Sequence, residues 1–275
     1  YSKWRKRDNA ALAFPLVTGE NDTMFFRFYC QLKEEVDSDI LQQALDRTME
    51  KYPLFQAVLR KGLFWFYLEH CDIRALVKPE TEPPCSRLYI PDKKSLLFQV
   101  SYYEERINFE VFHALTDGTG AMHFLQELVQ NYLILAHPKE NFPEIGRDKK
   151  TGRGNIEEDS FSQYYSSDIP KNREKKKAAV KLKGEKLIHS DMHISEVVLS
   201  VKEVHQKARS YGVSITVLLT AVMLCHIRVE ITKNQQTTPV KLMIHANLRH
   251  YLTSKSLTNF IRCIQCGYNF YEPHT

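Results

Sequence analysis

Apolar and polar residues alternate along several segments of the first half of the chain, and this alternation predicts β-strands. The segment MFFRFYCQLK (24–33) alternates and is rich in aromatic residues, which is typical of a strand. Two further pairs of apolar runs are each joined by a short polar turn and predict hairpins, over 55–59 with 63–69 and over 95–102 with 106–113. The first half is therefore expected to be built on β-hairpins.

Helical spacing of apolar residues predicts two helices in the same half. The first follows Asp37 and Ser38, either of which can cap its N-terminus, and it ends before Pro53. The second comes directly after Gly118 and reads GAMHFLQELVQNYLIL, with one apolar face along its length. The stretch 138–191 is charged and rich in Ser, Gly and Pro, so we interpret it as a crossing segment with at most one short amphipathic helix.

A second unit of strands and helices is predicted after this stretch. Its predicted elements are a strand over 194–201, a helix over 202–211 with Gly212 as C-cap, a helix from Ser214 to about Thr232, and strands over 239–247 and near 260–270. The fold class is therefore α/β, with a domain boundary near residue 185.

The ends of the sequence suggest a fragment of something longer. The chain begins at Tyr1 without an initiator Met and stops soon after the strand-like run CGYNFYE. We expect a complete first half over 1–185 and a truncated second half over 186–275. The last strand would then have an unpaired edge, and such edges pair readily with other chains. Self-association, or a need for the remaining C-terminal portion, is the expected consequence.

Composition narrows the class of protein. Of the 275 residues, 43% are hydrophobic and 11% aromatic, which is ordinary for a globular protein and excludes wholesale disorder. The longest apolar run, VLLTAVMLC (217–225), is too short to span a bilayer, and the basic N-terminus lacks the apolar stretch of a signal peptide. We therefore expect a cytoplasmic protein without a membrane span. The net charge of +5 is mild and compatible with an anionic ligand, but it decides nothing alone.

Two features that suggest other functions have simpler interpretations. Cys263 and Cys266 have the C-x-x-C spacing of a metal site, but zinc needs about two more ligands and the surrounding run reads as a strand. We expect no metal, and free thiols at all six cysteines. The lysine-rich run over 171–187 lacks the aromatic platform of a nucleic-acid site, so a solvated linker is the preferred interpretation.

The segment FHALTDGTG (112–120) carries the candidate chemistry. It places His113 at the end of a predicted buried strand, Asp117 four residues later, Gly118 next, and then the start of a helix. A histidine at a strand end is by default a structural residue. Here the neighbouring acid, the glycine that permits tight backbone geometry and the helix start would bring side chains together at a crowded turn.

These residues carry a family resemblance. HALTDG is similar to the H-x-x-x-D-G signature of the CoA-dependent acyltransferase superfamily, which includes chloramphenicol acetyltransferase, alcohol acetyltransferases and the condensation domains of peptide synthetases. KYPLFQAVLRKG resembles the family's early "hPxLR" segment, and HANLRHYL (245–252) resembles its "vnLR" segment. The resemblance runs from about residue 10 to the end, but the late D-F-G-W-G-like signature is absent. Phe112 stands where condensation domains usually carry another histidine, which favours the alcohol acetyltransferase type.

The resemblance implies a fold, a reaction and roles for four residues. The fold would be the chloramphenicol acetyltransferase-like two-layer sandwich, with the site between its halves. His113 would be the general base that deprotonates the acceptor, a task suited to neutral imidazole. Asp117 would form a structural ion pair with Arg249, and Gly118 would support the same turn. The implied co-substrate is acyl-CoA, acetyl-CoA or a related thioester, with a small alcohol or amine as acceptor and with no bound cofactor.

Two alternatives to an alcohol acyltransferase stay open at this stage. One is condensation-type chemistry, in which an amine attacks a thioester bound to a carrier protein. The other is a non-catalytic relative that keeps the fold as a binding module. The presence of His113, Asp117, Gly118 and Arg249 together argues against the second, because a module that only binds has no need of the base.

Overall fold

The helices and strands of the chain fall into two units. The computed structural model describes residues 4–5, 14–19, 22–63, 66–88, 93–143, 158–165, 178–184 and 194–270. The units are Tyr1–Ser166 with Asn247–Ile261, and Ser167–Ala246 with Arg262–Thr275. The segment 247–261 therefore belongs to the first unit, although it lies far along the sequence from the rest of that unit.

The elements confirm a mixed α/β fold. The strands are β1 Trp4–Arg5, β2 Phe25–Gln31, β3 Ala57–Lys61, β4 Phe66–His70, β5 Val77–Pro79, β6 Phe98–Tyr103, β7 Arg106–Phe112, β8 Val240–Asn247 and β9 Ile261–Tyr268. The α-helices are α1 Phe14–Val17, α2 Ser38–Lys51, α3 Gly118–Ala136, α4 Ser160–Tyr164, α5 Val201–Ser210 and α6 Ile215–Glu230. Short 3-10 helices occupy Pro53–Phe55, Lys233–Gln235 and Leu248–His250.

A four-stranded sheet in the order β2-β7-β6-β5 lies at the centre of the first unit. β6 and β7 form the hairpin that the sequence predicted over 95–102 and 106–113. β2 pairs antiparallel with β7, starting with Phe25 opposite Phe112. This register brings the start of β2 beside the end of β7, and His113 leaves the sheet at that point.

The predicted hairpin over 55–59 and 63–69 is also present, as β3 and β4. β1 adds a third strand to this smaller sheet. The first strand of the hairpin begins at Ala57 because Pro53–Phe55 forms a 3-10 helix directly after α2. The parallel strand β5 was not predicted, since three residues are too few to show an alternation.

Helices α2 and α3 pack against each other and against the four-stranded sheet. Asp37 caps α2 by accepting hydrogen bonds from the backbone N–H groups of Asp39 and Ile40. The rings of Phe109 in β7 and Phe124 in α3 stack at 4.6 Å between centroids. Burying one such aromatic side chain stabilises the fold by about 1.5–3 kcal/mol, so this contact anchors α3 on the strand that precedes His113.

The second unit contains α5, α6 and a two-stranded sheet of β8 and β9. Both helices, and strands near 239–247 and 260–270, agree with the sequence prediction. Gly212 ends α5 with φ of +66°, a left-handed conformation that glycine adopts without strain. Among the residues described, no single helix has both the length and the apolar character to cross a membrane, and α5 with α6 would do so only together, across an 82° bend.

The predicted strand over 194–201 is wrong. Residues 194–200 form no strand, and α5 begins at Val201 with Ser200 as its N-cap. Val197 and Val198 are 78% and 98% exposed. A strand is stabilised by pairing and by burial of alternate side chains, and these residues have neither within the described part of the chain.

The remaining predictions concern the crossing segment, the lysine-rich run and the cysteines. The crossing segment 138–191 contains α4, and of the lysine-rich run 171–187 only 178–184 lies inside the described residues. None of the six cysteines forms a disulfide. Cys263 and Cys266 lie on β9, and within the described ranges no group of three or more His, Cys, Asp or Glu side chains could hold a metal ion.

Candidate active site

His113 is the first residue after β7, and it sits in the turn that joins this strand to α3. Its backbone N–H donates to the carbonyl oxygen of Met24 at 2.9 Å, so the last pairing of β2 with β7 extends to the histidine itself. The six residues before it, 107–112, are all buried, whereas His113 is half-buried. The strand therefore carries the imidazole from the core to a partly accessible position.

Two aromatic rings surround the imidazole of His113. Phe14 in α1 stacks on it at 4.4 Å between ring centroids, with 16° between the planes. Phe26 in β2 lies at 4.9 Å with the planes tilted by 54°. These contacts restrict the rotation of the imidazole and place it in largely apolar surroundings.

Asn259 contacts both the side chain and the backbone of His113. Its Oδ1 lies 3.2 Å from Nδ1 of the imidazole, and its Nδ2 donates to the backbone carbonyl oxygen of His113 at 2.9 Å. Asn259 is fully buried. A residue 146 positions away in the sequence thus holds the histidine at two points.

Asp117 is the N-cap of α3 and is completely buried. Its Oδ1 accepts from the backbone N–H groups of Thr119 at 3.1 Å and Gly120 at 3.2 Å. Its Oδ2 accepts from Nη1 of Arg249 at 2.7 Å and from the backbone N–H of Phe260 at 2.9 Å. Four donors therefore satisfy the carboxylate, which is how a charge is tolerated in a protein interior.

Arg249 forms the ion pair with Asp117 that the resemblance implied, and it also donates hydrogen bonds to the loop before β9. Its Nε donates to the carbonyl oxygen of Ser256 at 3.0 Å, and its Nη2 donates to that of Thr258 at 2.6 Å. The Arg249 side chain is only 10% exposed. One guanidinium thus joins the start of α3 to the loop that carries Asn259.

The glycine that the turn requires on steric grounds is Gly120 rather than Gly118. A Cβ atom on Gly118 would meet only the ring of Phe28, at an ordinary 3.7 Å. A Cβ atom on Gly120 would overlap Oγ1 of Thr116 and the carbonyl oxygen of Leu257. The expectation that Gly118 permits tight backbone geometry is therefore wrong, because the loop approaches α3 two residues later.

Thr116 completes the attachment of this loop to the turn. Its hydroxyl donates to the carbonyl oxygen of Leu257 at 2.5 Å, and it is fully buried. Asn247, at the end of β8, donates from Nδ2 to Oγ1 of Thr119 at 3.0 Å. The turn and the segment 247–261 are therefore joined along most of their length, within a single unit of the fold.

A second histidine, His123, lies on α3 near the ion pair. Burial lowers the pKa of His123 below its usual value, the positive charge of Arg249 lowers it further, and the Asp117 carboxylate opposes this in part. The environment therefore favours a neutral His123 in the folded protein.

Sequence reasoning named His113, Asp117 and Arg249 but missed the residues that hold them. Asn259, Gly120 and Phe14 belong to no pattern that stands out in one sequence. The run LTNFI around Asn259 lies at the start of the strand predicted near 260–270, and no local signal relates it to a turn 146 residues earlier.

Comparisons with known proteins identify the fold of the chain. No protein-family model and no curated protein matches the chain. The first condensation domain of the calcium-dependent antibiotic synthetase, in complex with a substrate analogue, superimposes with a TM-score of 0.67 at 11% identity, over 97% of this chain and 70% of that one. Polyketide synthase associated protein 5 from Mycobacterium tuberculosis gives 0.62 at 16% identity, over 100% and 70%. TRI101 of F. graminearum, complexed with ethyl coenzyme A, gives 0.57 at 12% identity, over 97% and 70%.

The chain has the fold of the CoA-dependent acyltransferases and condensation domains. At the level of the fold, this result confirms the family resemblance that HALTDG suggested. The chain spans about 70% of the length of these solved structures. Because fold does not determine chemistry, the reaction has to be argued from the site.

Proposed function

We propose that the chain transfers an acyl group from a CoA thioester to an alcohol, with His113 as the general base. The observation that carries the proposal is the position of His113, half-buried at the end of β7 and held at both its backbone and its ring. A base has to keep a fixed position while it takes a proton, and rigid strand ends provide that.

The proposed chemistry uses the imidazole twice. His113 accepts the proton of the acceptor hydroxyl as the oxygen attacks the carbonyl carbon of the thioester. The carbon–sulfur bond then breaks, and the leaving thiolate takes the proton back from the imidazolium. The histidine ends as it began, and no bound cofactor or metal is required by this sequence of steps.

Asp117 has a structural role in this proposal. Its two oxygens are occupied by the N-terminus of α3, by Arg249 and by the N–H of Phe260. A buried carboxylate whose two oxygens both accept hydrogen bonds from protein groups serves to hold those groups together. Asp117 and Arg249 therefore fix the turn, while His113 moves the proton.

The donor and the acceptor are the finer parts of the proposal. Solved structures of TRI101, one complexed with ethyl coenzyme A and one with coenzyme A and T-2, share the fold and favour a CoA thioester as donor. We propose acetyl-CoA or a related short acyl-CoA as donor and a small alcohol as acceptor. The cytoplasmic location expected from the sequence is consistent with such a donor.

Condensation-type chemistry on a carrier-bound thioester is the second candidate, because a condensation domain also superimposes on this chain. Phe112 argues against it. This side chain is fully buried and stacks on Phe25 at 5.1 Å between ring centroids. The position that usually holds another histidine in condensation domains thus belongs to the core here.

The test is a thiol-release assay with several acyl-CoAs against a panel of alcohols and amines. His113→Ala should lower turnover by about 10²- to 10⁴-fold, the usual contribution of a general base. His70→Ala is the matched control, since His70 lies on β4 and is exposed. Turnover of the His113 variant within a few-fold of wild type would remove this residue from the mechanism, and a preference for amines would favour the condensation candidate.

A further inference from the structure

The carboxamide of Asn259 has only one chemically sensible orientation. Its Nδ2 lies 2.9 Å from the backbone carbonyl oxygen of His113, and its Oδ1 lies 3.2 Å from Nδ1 of the imidazole. Exchanging the two atoms would place Oδ1 against the carbonyl oxygen, so that two acceptors would face each other. Nδ2 is therefore the atom that donates to the carbonyl, and Oδ1 is the atom that faces the ring.

This orientation determines the protonation of the imidazole. An amide oxygen can only accept a hydrogen bond, so Nδ1 of His113 has to carry a proton. In a neutral imidazole only one nitrogen is protonated, and the lone pair is then on Nε2. The hydrogen bond at one ring nitrogen thus selects which nitrogen acts as the base.

The loop on either side of Asn259 is fixed to the turn that carries His113. The carbonyl oxygen of Leu257 accepts from the hydroxyl of Thr116 at 2.5 Å, and the N–H of Phe260 donates to Asp117 at 2.9 Å. Arg249 binds the carbonyl oxygen of Thr258 at 2.6 Å. Asn259 therefore lies between attachment points on both sides and has little freedom to leave the ring.

We propose that Asn259 is a positioning residue that holds His113 as the Nδ1–H tautomer with Nε2 as the basic nitrogen, and that the Asp117–Arg249 pair acts on the base through this loop. The catalytic meaning of this inference rests on the proposed function, but the tautomer itself does not. The hydrogen bond to Oδ1 is compatible with both the neutral ring and the imidazolium. Proton transfer at Nε2 therefore needs no rearrangement at Nδ1.

The direct test is ¹⁵N NMR of the full chain with labelled histidine, assigned by comparison with His113→Gln. We expect the neutral His113 of the wild type to show a protonated Nδ1 and an unprotonated Nε2. In Asn259→Leu, which removes the acceptor, the Nδ1–H signature should be lost. Asn259→Asp keeps an acceptor oxygen and should restore the signature, which a merely structural role of Asn259 would not predict.

A neighbouring substitution provides the control. Thr258 is buried in the same loop, and its hydroxyl contacts Ser256 and the carbonyl oxygen of Glu158. Thr258→Val should disturb the loop to a similar degree but leave the tautomer of His113 unchanged. An unprotonated Nδ1 in the neutral wild type would overturn the inference, even if the Leu variant does not fold. A shift of the tautomer in Thr258→Val equal to that in Asn259→Leu would also overturn it.

Kinetics separate this inference from the proposed function. If acyl transfer is found, Asn259→Leu should lower kcat by about 10²- to 10⁴-fold, because an enforced wrong tautomer costs up to about 10⁴-fold in serine proteases. KM for the thioester should stay within a few-fold of wild type. Unchanged kcat in this variant would refute the positioning role. If His113→Ala retains full turnover, the proposed function fails, while the NMR spectra still decide the tautomer.

Discussion

The substitution Asp117→Asn tests the buried ion pair with almost no change in side-chain shape. Asparagine keeps one acceptor oxygen and replaces the other by an NH₂ group, which can only donate. If the remaining oxygen caps α3, the NH₂ faces two donors, Nη1 of Arg249 and the N–H of Phe260. If the carboxamide is instead rotated so that its oxygen faces Arg249, the N-cap of α3 is lost, at a cost of about 1 kcal/mol. In both cases the 10% exposed guanidinium loses the charge of Asp117, and breaking a buried pair costs about 3–5 kcal/mol. We expect the free energy of unfolding to fall by about that amount.

Chemical denaturation followed by far-UV circular dichroism measures this difference, and Asp37→Asn is the matched control. Asp37 also caps a helix, α2, by accepting two backbone N–H groups, but it is exposed. Asparagine is as good an N-cap as aspartate, so this variant should differ from wild type by no more than about 0.5 kcal/mol. Equal, small losses in both variants would show that Asp117 acts as an ordinary cap, and the argument for a buried charge pair would be refuted.

Two further predictions concern the same turn. Gly120→Ala should lower the free energy of unfolding by about 1–3 kcal/mol, because its Cβ atom has no space, whereas Gly118→Ala should stay within about 1 kcal/mol of wild type in the same denaturation experiment. Equal effects would contradict the close approach at Gly120. The lowered pKa of His123 means that the unfolded chain binds a proton more readily, so stability should be fully present above about pH 6.5 and fall as the pH drops from there towards the folded pKa. His123→Gln should flatten this part of the stability–pH curve, and an unchanged slope would show that another group is responsible.

Much of the first unit could be predicted from the sequence because its strands and helices have clear local patterns. The alternation in 106–113 and the helical spacing after Gly118 correspond to β7 and α3, although the polar residues of that alternation, Asn108 and Glu110, are buried as well. The segment 194–201 has the apolar character of a strand, but pairing decides whether such a segment becomes one, and pairing is not a local property. The three-residue strand β5 could not be predicted for the opposite reason. It is defined by its pairing with β6 and has no sequence pattern of its own.

The candidate site was predictable only where a family signature contains it. HALTDG and HANLRHYL implied a pair between Asp117 and Arg249, and the two side chains lie 2.7 Å apart. Asn259 and Gly120 matter for another reason, namely that the loop before β9 contacts the turn. That contact joins residues more than 140 positions apart in the sequence. The hydrogen bonds of the Asn259 amide and the lack of space for a Cβ atom at Gly120 both follow from it, so they are visible only in the three-dimensional structure.

The position of the segment 247–261 depends on the buried carboxylate of Asp117, which lies in the same turn as His113. A buried carboxylate requires several donors, and Asp117 obtains them from three sources: the N-terminus of α3, the guanidinium of Arg249 and the N–H of Phe260. Only the first source is local to the turn. The hydrogen bonds from Arg249 and Phe260 to Asp117 hold the distant segment against the turn. As a result, Asn259 lies beside the ring of His113. Neutralising Asp117 would therefore remove the ion pair that holds the loop before β9 against the turn. We expect Asp117→Asn to weaken the Nδ1–H signature of His113 in ¹⁵N NMR under conditions where the variant is still folded. An unaltered signature would mean that the contact of Thr116 with Leu257 is enough to hold the loop.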